Sequence, residues 1–449
     1  MIKFVRKYAL LFIIALLLIP SYFFFVKTQP MNAERFPFFV FLLALDIYLW
    51  YSIKNEFSKL NQAIRFFLGL LYWIPFAAFI FLISISSIQN VSLAHPPLVS
   101  YVFGVTVVIY FAKLLTVIFF LLADFYRIIL FTIKHARAKH TGKPIHHGEP
   151  MTRGKFLRTI GVATGGLFFS GMVIGMVKWA HDFRVRSVNL RLPDLPWPFE
   201  GMRIVQISDL HLGSWASTDP MKEAIEIIND LDADLVLFTG DLVNYSTREA
   251  YRFKDTLSNL KARHGVYAIL GNHDYGDYVN WPSEADKKAN MEDMYNYFDE
   301  IGWKLLRNTN EIIEQEGERL AVIGVENWSA NHRFPRLGRI EEAMKGTEDV
   351  PVRILMSHDP THWEREISQK YPGIDLTLSG HTHGFQFGVE LKRFRWSFAQ
   401  YIYKYWAGLY QNENSKKAQY LYVNRGLGMI GYPGRVGILP EITLITLNS

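Results

Sequence analysis

The chain has 449 residues, half of them hydrophobic and 15% aromatic, with a formal net charge of +6 and no cysteine. Without cysteine there is no disulfide, thiolate nucleophile or Cys-ligated zinc, so any metal must be held by His, Asp, Glu or Asn. Residues 1–185 hold 19 Lys+Arg against 6 Asp+Glu, and the remainder 29 against 36; the basic balance therefore reports membrane topology, and no nucleic-acid partner is expected.

Up to about Trp179 the sequence is a series of long apolar runs. A bilayer is crossed by about 20 apolar residues. Five runs are read as spans: Tyr8–Val26, Pro37–Ile53, Phe66–Ile88, Leu98–Ala123 and Leu157–Val177. The first lacks a small-x-small cleavage site before Lys27 and is read as an uncleaved anchor. Lys and Arg in short loops set orientation. Lys3, Arg6 and Lys7 precede the first span, Lys54, Lys59 and Arg65 follow the second, and seven bases from Arg127 to Lys155 precede the fifth. The loop Gln89–Pro97 has none. This places the N-terminus in the cytoplasm and, after five crossings, the C-terminal half on the outer, periplasmic or extracytoplasmic side of a bacterial inner or cell membrane. Asp46 and Lys113 fall inside spans, where a structural ion pair is the favoured reading over a polar site between helices. GVATGGLFFSGMVIG in the last span has the small-residue spacing of close helix packing. The expected domains are a transmembrane region, 1–180, and a soluble domain, 181–449.

From Met202 the pattern changes. MRIVQISD, DLVLFTGD, VYAILGNHD, RLAVIGVE, VRILMSHD, IDLTLSGHTHG, QYLYVNRG and PEITLITL read as strands. MKEAIEIINDL and TREAYRFKDTLSNLKARH read as helices by their apolar spacing. Strands alternating with helices imply an α/β fold, whose sites lie at the carboxyl ends of strands.

Polar clusters follow five of these runs: Asp209-Leu210-His211, Gly240-Asp241, Gly271-Asn272-His273-Asp274, Ser357-His358 and Gly380-His381-Thr382-His383. Residues two apart on an extended segment share a face, so Asp209 with His211, and His381 with His383, are expected to point at shared centres. Two carboxylates, an amide and four imidazoles suffice for two divalent cations, the arrangement of two-metal hydrolases. His146, His147, His264, His332 and His362 lack a ligand-like setting.

The ordered set DLH, GD, GNHD, H and GHTH resembles the calcineurin-like metallophosphoesterase family, in its bacterial membrane-anchored branch, over about residues 200–449. The resemblance implies a four-layer α/β/β/α sandwich and a hydrolase of phosphoric esters. It implies one metal on Asp209, His211, Asp241 and His383, and another on Asp241, Asn272, His358 and His381. It makes His273 the proton donor, with Asp274 orienting it. The ions expected are Mn, with Fe, Zn or Mg as alternatives. Gly384-Phe385-Gln386 departs from the glycine pair that often follows the last histidine. Arg425 and Arg435 flank a Gly-rich segment suited to phosphate, as against an ordinary turn with surface arginines. Lys392–Tyr410 mixes bases and aromatics, as interfacial segments do. The expected partners are the bilayer and a phosphorylated, lipid-linked substrate. The alternatives are a tethered phosphodiesterase for soluble nucleotides or diverse esters, a non-catalytic receptor or scaffold, and a transporter.

Overall fold

The computed structural model describes residues 22–23, 26–27, 36–86, 96–141, 152–391 and 394–449. Two compact units form, one from Met1–Gln89 with Val105–Ser170, the other from Asn90–Gly104 with Gly171–Ser449.

The first unit is helical. Four helices, Phe36–Ile53, Gln62–Ser86, Pro96–Thr141 and Thr152–Val177, contain segments long and apolar enough to cross a membrane; residues 96–104 of the third and 171–177 of the fourth belong to the second unit. The expected first span lies outside the described residues, apart from residues 22–23 and 26. The expected fourth span is longer than its apolar core: the helix runs on to Thr141, so Arg127, Lys134, Arg137 and Lys139 lie on it and not in a loop. Nothing in that stretch breaks a helix, and its bases are good helix formers. Inside the bundle Lys113 Nζ lies 2.5 Å from Asp46 Oδ1, and Tyr110 donates to Asp46 Oδ2 at 2.7 Å. These partners offset the cost of burying the charges. Gly165 lets its helix close on the third: a β-carbon there would fall 2.2 Å from Thr116 Oγ1.

The second unit is built on strands. In chain order, β1 is Arg184–Arg191, β2 Arg203–Ile207, β3 Leu235–Phe238, β4 Val266–Ala268, β5 Lys304–Leu305, β6 Thr309–Gln315 and β7 Glu318–Gly324. Then come β8 Val352–Met356, β9 Leu376–Ser379, β10 Gly388–Leu391, β11 Phe394–Ser397, β12 Gly408–Gln411, β13 Tyr420–Val423 and β14 Glu441–Asn448. One mixed sheet has the order β1-β14-β2-β3-β4-β5, the other β12-β13-β9-β8-β7-β6, and β10 and β11 form a separate hairpin.

Alternation along the strands makes the layers. Ile204, Leu235, Leu237 and Ile269 of the first sheet meet Leu320, Val322, Ile354, Met356 and Leu378 of the second in one buried core. The opposite residues, Val205, Ile207, Val236 and Phe238, pack under Met221, Ala224 and Ile228 of the helix Asp219–Asp230, and under Met294 and Phe298 of the helix Glu284–Glu300. Ala321, Ile323, Leu355 and Leu421 of the second sheet are covered by Ile340, Ala343, Trp363 and Ile367 on short helical turns. The four layers are thus helix, sheet, sheet, helix.

The expected helix over 247–264 does not form; short 3-10 turns and the four-residue helix Lys254–Leu257 take its place. Side chains capture the peptide groups at and just before its start. Glu249 accepts from the amides of Asn244 and Tyr245, and Asn290 Oδ1 from that of Thr247. The longer helix is Glu284–Glu300, capped by Ser283, whose Oγ accepts from Asp286 N. Its polar sequence hides it from a search for apolar periodicity.

Candidate metal centre

Strands β2, β3 and β4 of one sheet and β8 and β9 of the other end at a common place, and the five clusters leave from those ends. Backbone bonds stitch the loops together: Asp209 N donates to Gly240 O at 2.8 Å, His211 N to Asp241 O at 3.2 Å, and Gly380 N to His358 O at 2.9 Å. Gly271 is required by close approach, since a β-carbon there would lie 2.2 Å from Asp241 Oδ1.

The expectation of extended segments is corrected. Asp209, His211, Asp241, His381 and His383 all have left-handed backbone, with φ of 53°, 42°, 59°, 69° and 50°. Each such conformation costs on the order of 1–3 kcal/mol for a residue with a β-carbon. The side chains are aimed by these kinks and not by strand alternation.

The kinks keep Asp209 with His211, as expected, and separate His381 from His383, as the ligand sets implied by the resemblance do. Asp209, His211 and His383 form one group, and Asp241, His358 and His381 a second; within each group the candidate ligand atoms lie within 4.8 Å of one another. His381 and His383 therefore fall in separate groups. In the first, His211 Nε2 is 3.0 Å from His383 Nε2, and His383 Nε2 is 3.2 Å from Asp209 Oδ1. In the second, His358 Nε2 is 3.2 Å from Asp241 Oδ2 and 3.3 Å from His381 Nδ1. The same Asp241 Oδ2 is 3.6 Å from His211 Nε2, so this carboxylate reaches both groups. Asn272 stands beside them in the cavity wall.

The donor set fits divalent cations. Asn272 Oδ1 is buried with no hydrogen-bond partner among the described residues, while its Nδ2 donates to Tyr278 OH at 2.8 Å. An unpaired buried amide oxygen is costly unless something electropositive meets it. Burial works against charge on His358, yet Asp241 and then Asp209 push it up to about 10. The two carboxylates thus draw positive charge into the space between the groups. Outer partners fix the rings, as they do around metal ligands: His358 Nδ1 donates to Thr239 O at 2.7 Å, and His381 Nε2 lies 3.0 Å from Tyr403 OH.

His273 lines the same cavity. Its amide donates to Asp241 Oδ1 at 2.8 Å, its Nδ1 donates to Asn244 O at 2.8 Å, and its ring stacks on Tyr278 at 4.3 Å. Asp274 does not orient this ring. Its carboxylate accepts from the amides of Asp241, Leu242, Val243 and Gly271, which ties the loops after β3 and β4 together. Burial, the largest influence, lowers the His273 pKa from its ordinary value. Asn244, Tyr278 and Tyr403 were missed in the sequence. The first two lie shortly after Asp241 and Asp274, which is the only signal that could have found them.

Comparison with known families bears on this arrangement. Residues 202–385 match the family model "Calcineurin-like phosphoesterase", and residues 31–179 match "Probable Calcineurin-like phosphoesterase, transmembrane domain". The chain thus carries a calcineurin-like phosphoesterase domain, joined to the transmembrane domain that the second model describes. It is similar to a transmembrane protein with metallophosphoesterase domain from Danio rerio, at 29% identity over 62% of this chain and 60% of that one. It also resembles the uncharacterized metallophosphoesterase YkuE of Bacillus subtilis, at 28% identity over 67% of this chain and 99% of the relative. UDP-2,3-diacylglucosamine pyrophosphatase LpxG of Chlamydia trachomatis is 29% identical, over 56% of this chain and 86% of the relative. The chain spans 60% of the length of its Danio rerio and Bos taurus relatives. With apolar helices and relatives named as transmembrane proteins, this metallophosphoesterase is an integral membrane protein.

The cavity over its clusters has a volume of about 310 Å³ and a rim of Phe334, Phe385, Tyr403, Ile430 and Tyr432. The departure Gly384-Phe385-Gln386 shapes that rim: from His383 to Gln386 the backbone makes a left-handed turn, with φ of 50–56°. Phe385 is left half-exposed. The two arginines expected to bind substrate are not on the rim. Arg425 is 2% exposed and is held by Glu390 and Glu441. Arg435 is fully buried, and its Nη2 donates to the carbonyls of Arg425, Gly426 and Gly428 at 2.7–2.9 Å. Their guanidinium groups hold the loop that backs His383 and are already engaged by protein acceptors.

Proposed function

We propose that this metallophosphoesterase hydrolyses a phosphoester or pyrophosphate bond using two divalent metal ions, Mn being the ion expected. Asp209, His211, Asp241 and His383 would hold one ion, and Asp241, Asn272, His358 and His381 the other. The observation that carries this reading is the reach of Asp241 Oδ2 to both His358 and His211, beside the unpartnered Asn272 Oδ1. Bound there, the ions supply positive charge for the phosphate and a water nucleophile near neutral pH.

The chain's own residues supply the rest. The Asn244 carbonyl fixes Nδ1 of His273 as a donor, so the proton passed to the leaving oxygen is the one on Nε2 of the imidazolium, a form that burial disfavours and an anionic substrate favours. The Tyr278 ring behind it limits rotation. The aromatic rim narrows the approach to water.

A lipid-linked phosphate or pyrophosphate is the proposed substrate. The membrane region and the likeness to a relative named as a UDP-2,3-diacylglucosamine pyrophosphatase support it. The catalytic domain is proposed to face outward, because the Lys54–Lys59 turn and the bases from Arg127 to Lys155 favour the cytoplasm. With those segments inside, the last span exits outward whether or not residues 8–26 cross. The test is phosphate release by the purified full chain with Mn, from a pyrophosphate lipid in vesicles and from a soluble phosphodiester. Metal-dependent release from the lipid supports the proposal; no release from either overturns it.

A further inference from the structure

The cavity rim is tied to the ends of the membrane helices. Ile430 and Tyr432 line the cavity. Tyr432 OH donates to Met172 O, and Arg435 N donates to Gly175 O at 3.1 Å. Pro433 packs on Gly104, where a β-carbon would fall 2.1 Å from the proline Cδ. Gly104 lies within the candidate span Pro97–Ile133, and Met172 and Gly175 within Gly154–His181. All of these residues belong to the same compact unit as the two sheets. From the other side of the rim, Gln386 Nε2 donates to Tyr432 O at 2.7 Å, and Ile430 N donates to Gln386 Oε1 at 2.7 Å.

The hairpin β10–β11 springs from this junction, with Gly388 N donating to Val436 O at 2.8 Å. Leu391 and Phe394 face each other at its tip and are 65% and 56% exposed. Phe398, Tyr401 and Ile402, just beyond it, are 48%, 71% and 63% exposed. These rings are connected: Phe398 packs on Trp396 at 4.8 Å, and Trp396 Nε1 donates to Tyr401 OH at 3.3 Å. Beneath them Ala399, Trp406, Ala407 and Ile438 form a small buried core. The expected interfacial segment is therefore divided, part of it covering a core and part turning large apolar groups outward from a fixed base. Exposed apolar patches of this kind mark contact with another apolar phase. In sequence, Lys392 and Arg393 lie between Leu391 and Phe394, the mixture of bases and aromatics that membrane interfaces favour.

We propose that Leu391, Phe394, Phe398, Tyr401 and Ile402 insert into the leaflet on the catalytic side, so that the cavity opens at the bilayer surface and takes a phosphorylated headgroup whose lipid stays in that leaflet. The occupant is the lipid of the membrane that the helices already cross, because the hairpin leaves from the loop bonded to Met172 and Gly175. The clause on substrate rests on the proposed hydrolysis; the insertion does not.

The absence of native cysteine allows a direct test. Leu391→Cys, Phe394→Cys, Ile402→Cys and, as control, Lys288→Cys on the exposed face of the helix Glu284–Glu300 are labelled singly with a nitroxide, in the full chain in lipid nanodiscs. Collision with oxygen is compared with collision with a water-soluble nickel chelate. The first three labels are expected to favour oxygen and the control to favour nickel; a nickel preference at all four overturns the insertion. As a second arm, Leu391→Asp with Phe394→Asp should lower turnover of a vesicle-borne pyrophosphate lipid by about tenfold or more, as expected for lost apolar anchoring, and leave turnover of a soluble phosphodiester unchanged. An equal effect on both substrates, or none on the lipid, overturns the substrate clause. A parent chain that hydrolyses neither overturns the hydrolytic reading and leaves the depth measurement standing.

Discussion

His211 and His383, 172 positions apart in sequence, point their Nε2 atoms at each other across 3.0 Å. One proton could join that pair, but the same Nε2 atoms also face Asp209 at 3.2 Å and Asp241 at 3.6 Å. A cation answers all four at once. The second group repeats the arrangement around the other side of Asp241.

Replacing His273 with Ala removes the proposed proton donor without touching either donor group. Hydrolysis of a soluble phosphodiester should fall by about 10²–10⁴-fold, the usual worth of a positioned acid. Mn content, measured by elemental analysis, should stay at the parent value. Undiminished turnover would remove the role assigned to this ring.

Tyr278 holds the Asn272 amide at 2.8 Å while stacking on His273. Tyr278→Phe keeps the stack and loses the bond. Its affinity for the ion at Asn272 should fall by about 10–100-fold, as for other partners of metal ligands. Calorimetric Mn titration of the parent and variant reads this out.

Arg425 distinguishes a structural arginine from a substrate contact. Removing one member of a buried ion pair leaves the other uncompensated, at about 3–5 kcal/mol. Arg425→Met should lower stability by roughly that amount through Glu441 and Glu390, with KM unchanged in the fraction that stays folded. Denaturant titration and steady-state kinetics separate the two effects.

Stability should fall on acidification through His362. This ring is fully buried, stacks on Trp328 at 4.5 Å, and lies with Nδ1 2.8 Å from Ser357 Oγ. Burial, its largest influence, lowers the pKa from 6.5 to about 4. Between those values the unfolded chain binds the proton and the folded chain does not, so stability is lost as pH falls from about 6.5 to about 4, and the loss stops below that. The contribution is about 3 kcal/mol across the window. Melting temperatures in this range should show a shallower slope for His362→Phe than for the parent.

What could be read in advance follows from the range of each interaction. Asp209, Asp241, Asn272, His358 and His381 each stand just past an apolar run, so a pattern a few residues long located them. Their aim was not legible, because left-handed φ at Asp209 or His383 is imposed by loops from both sheets and leaves no trace in local sequence. Asp274 shows the same limit. Its place in the motif is local, but its four amide partners come from two loops 30 residues apart. The sequence leaves Arg425 open between phosphate and structure, because an arginine beside glycines suits both until Glu390 and Glu441 arrive from elsewhere. The helix Glu284–Glu300 escaped notice because it buries few apolar residues.

The most direct test of the paired centre is the electron paramagnetic resonance spectrum of the full chain loaded with Mn, in the parent and in Asp241→Asn. Two ions joined by one carboxylate should give an exchange-coupled spectrum at two equivalents per chain, and the substitution should abolish the coupling. A parent that takes up no Mn, or that shows only the spectrum of isolated ions at saturation, contradicts the account.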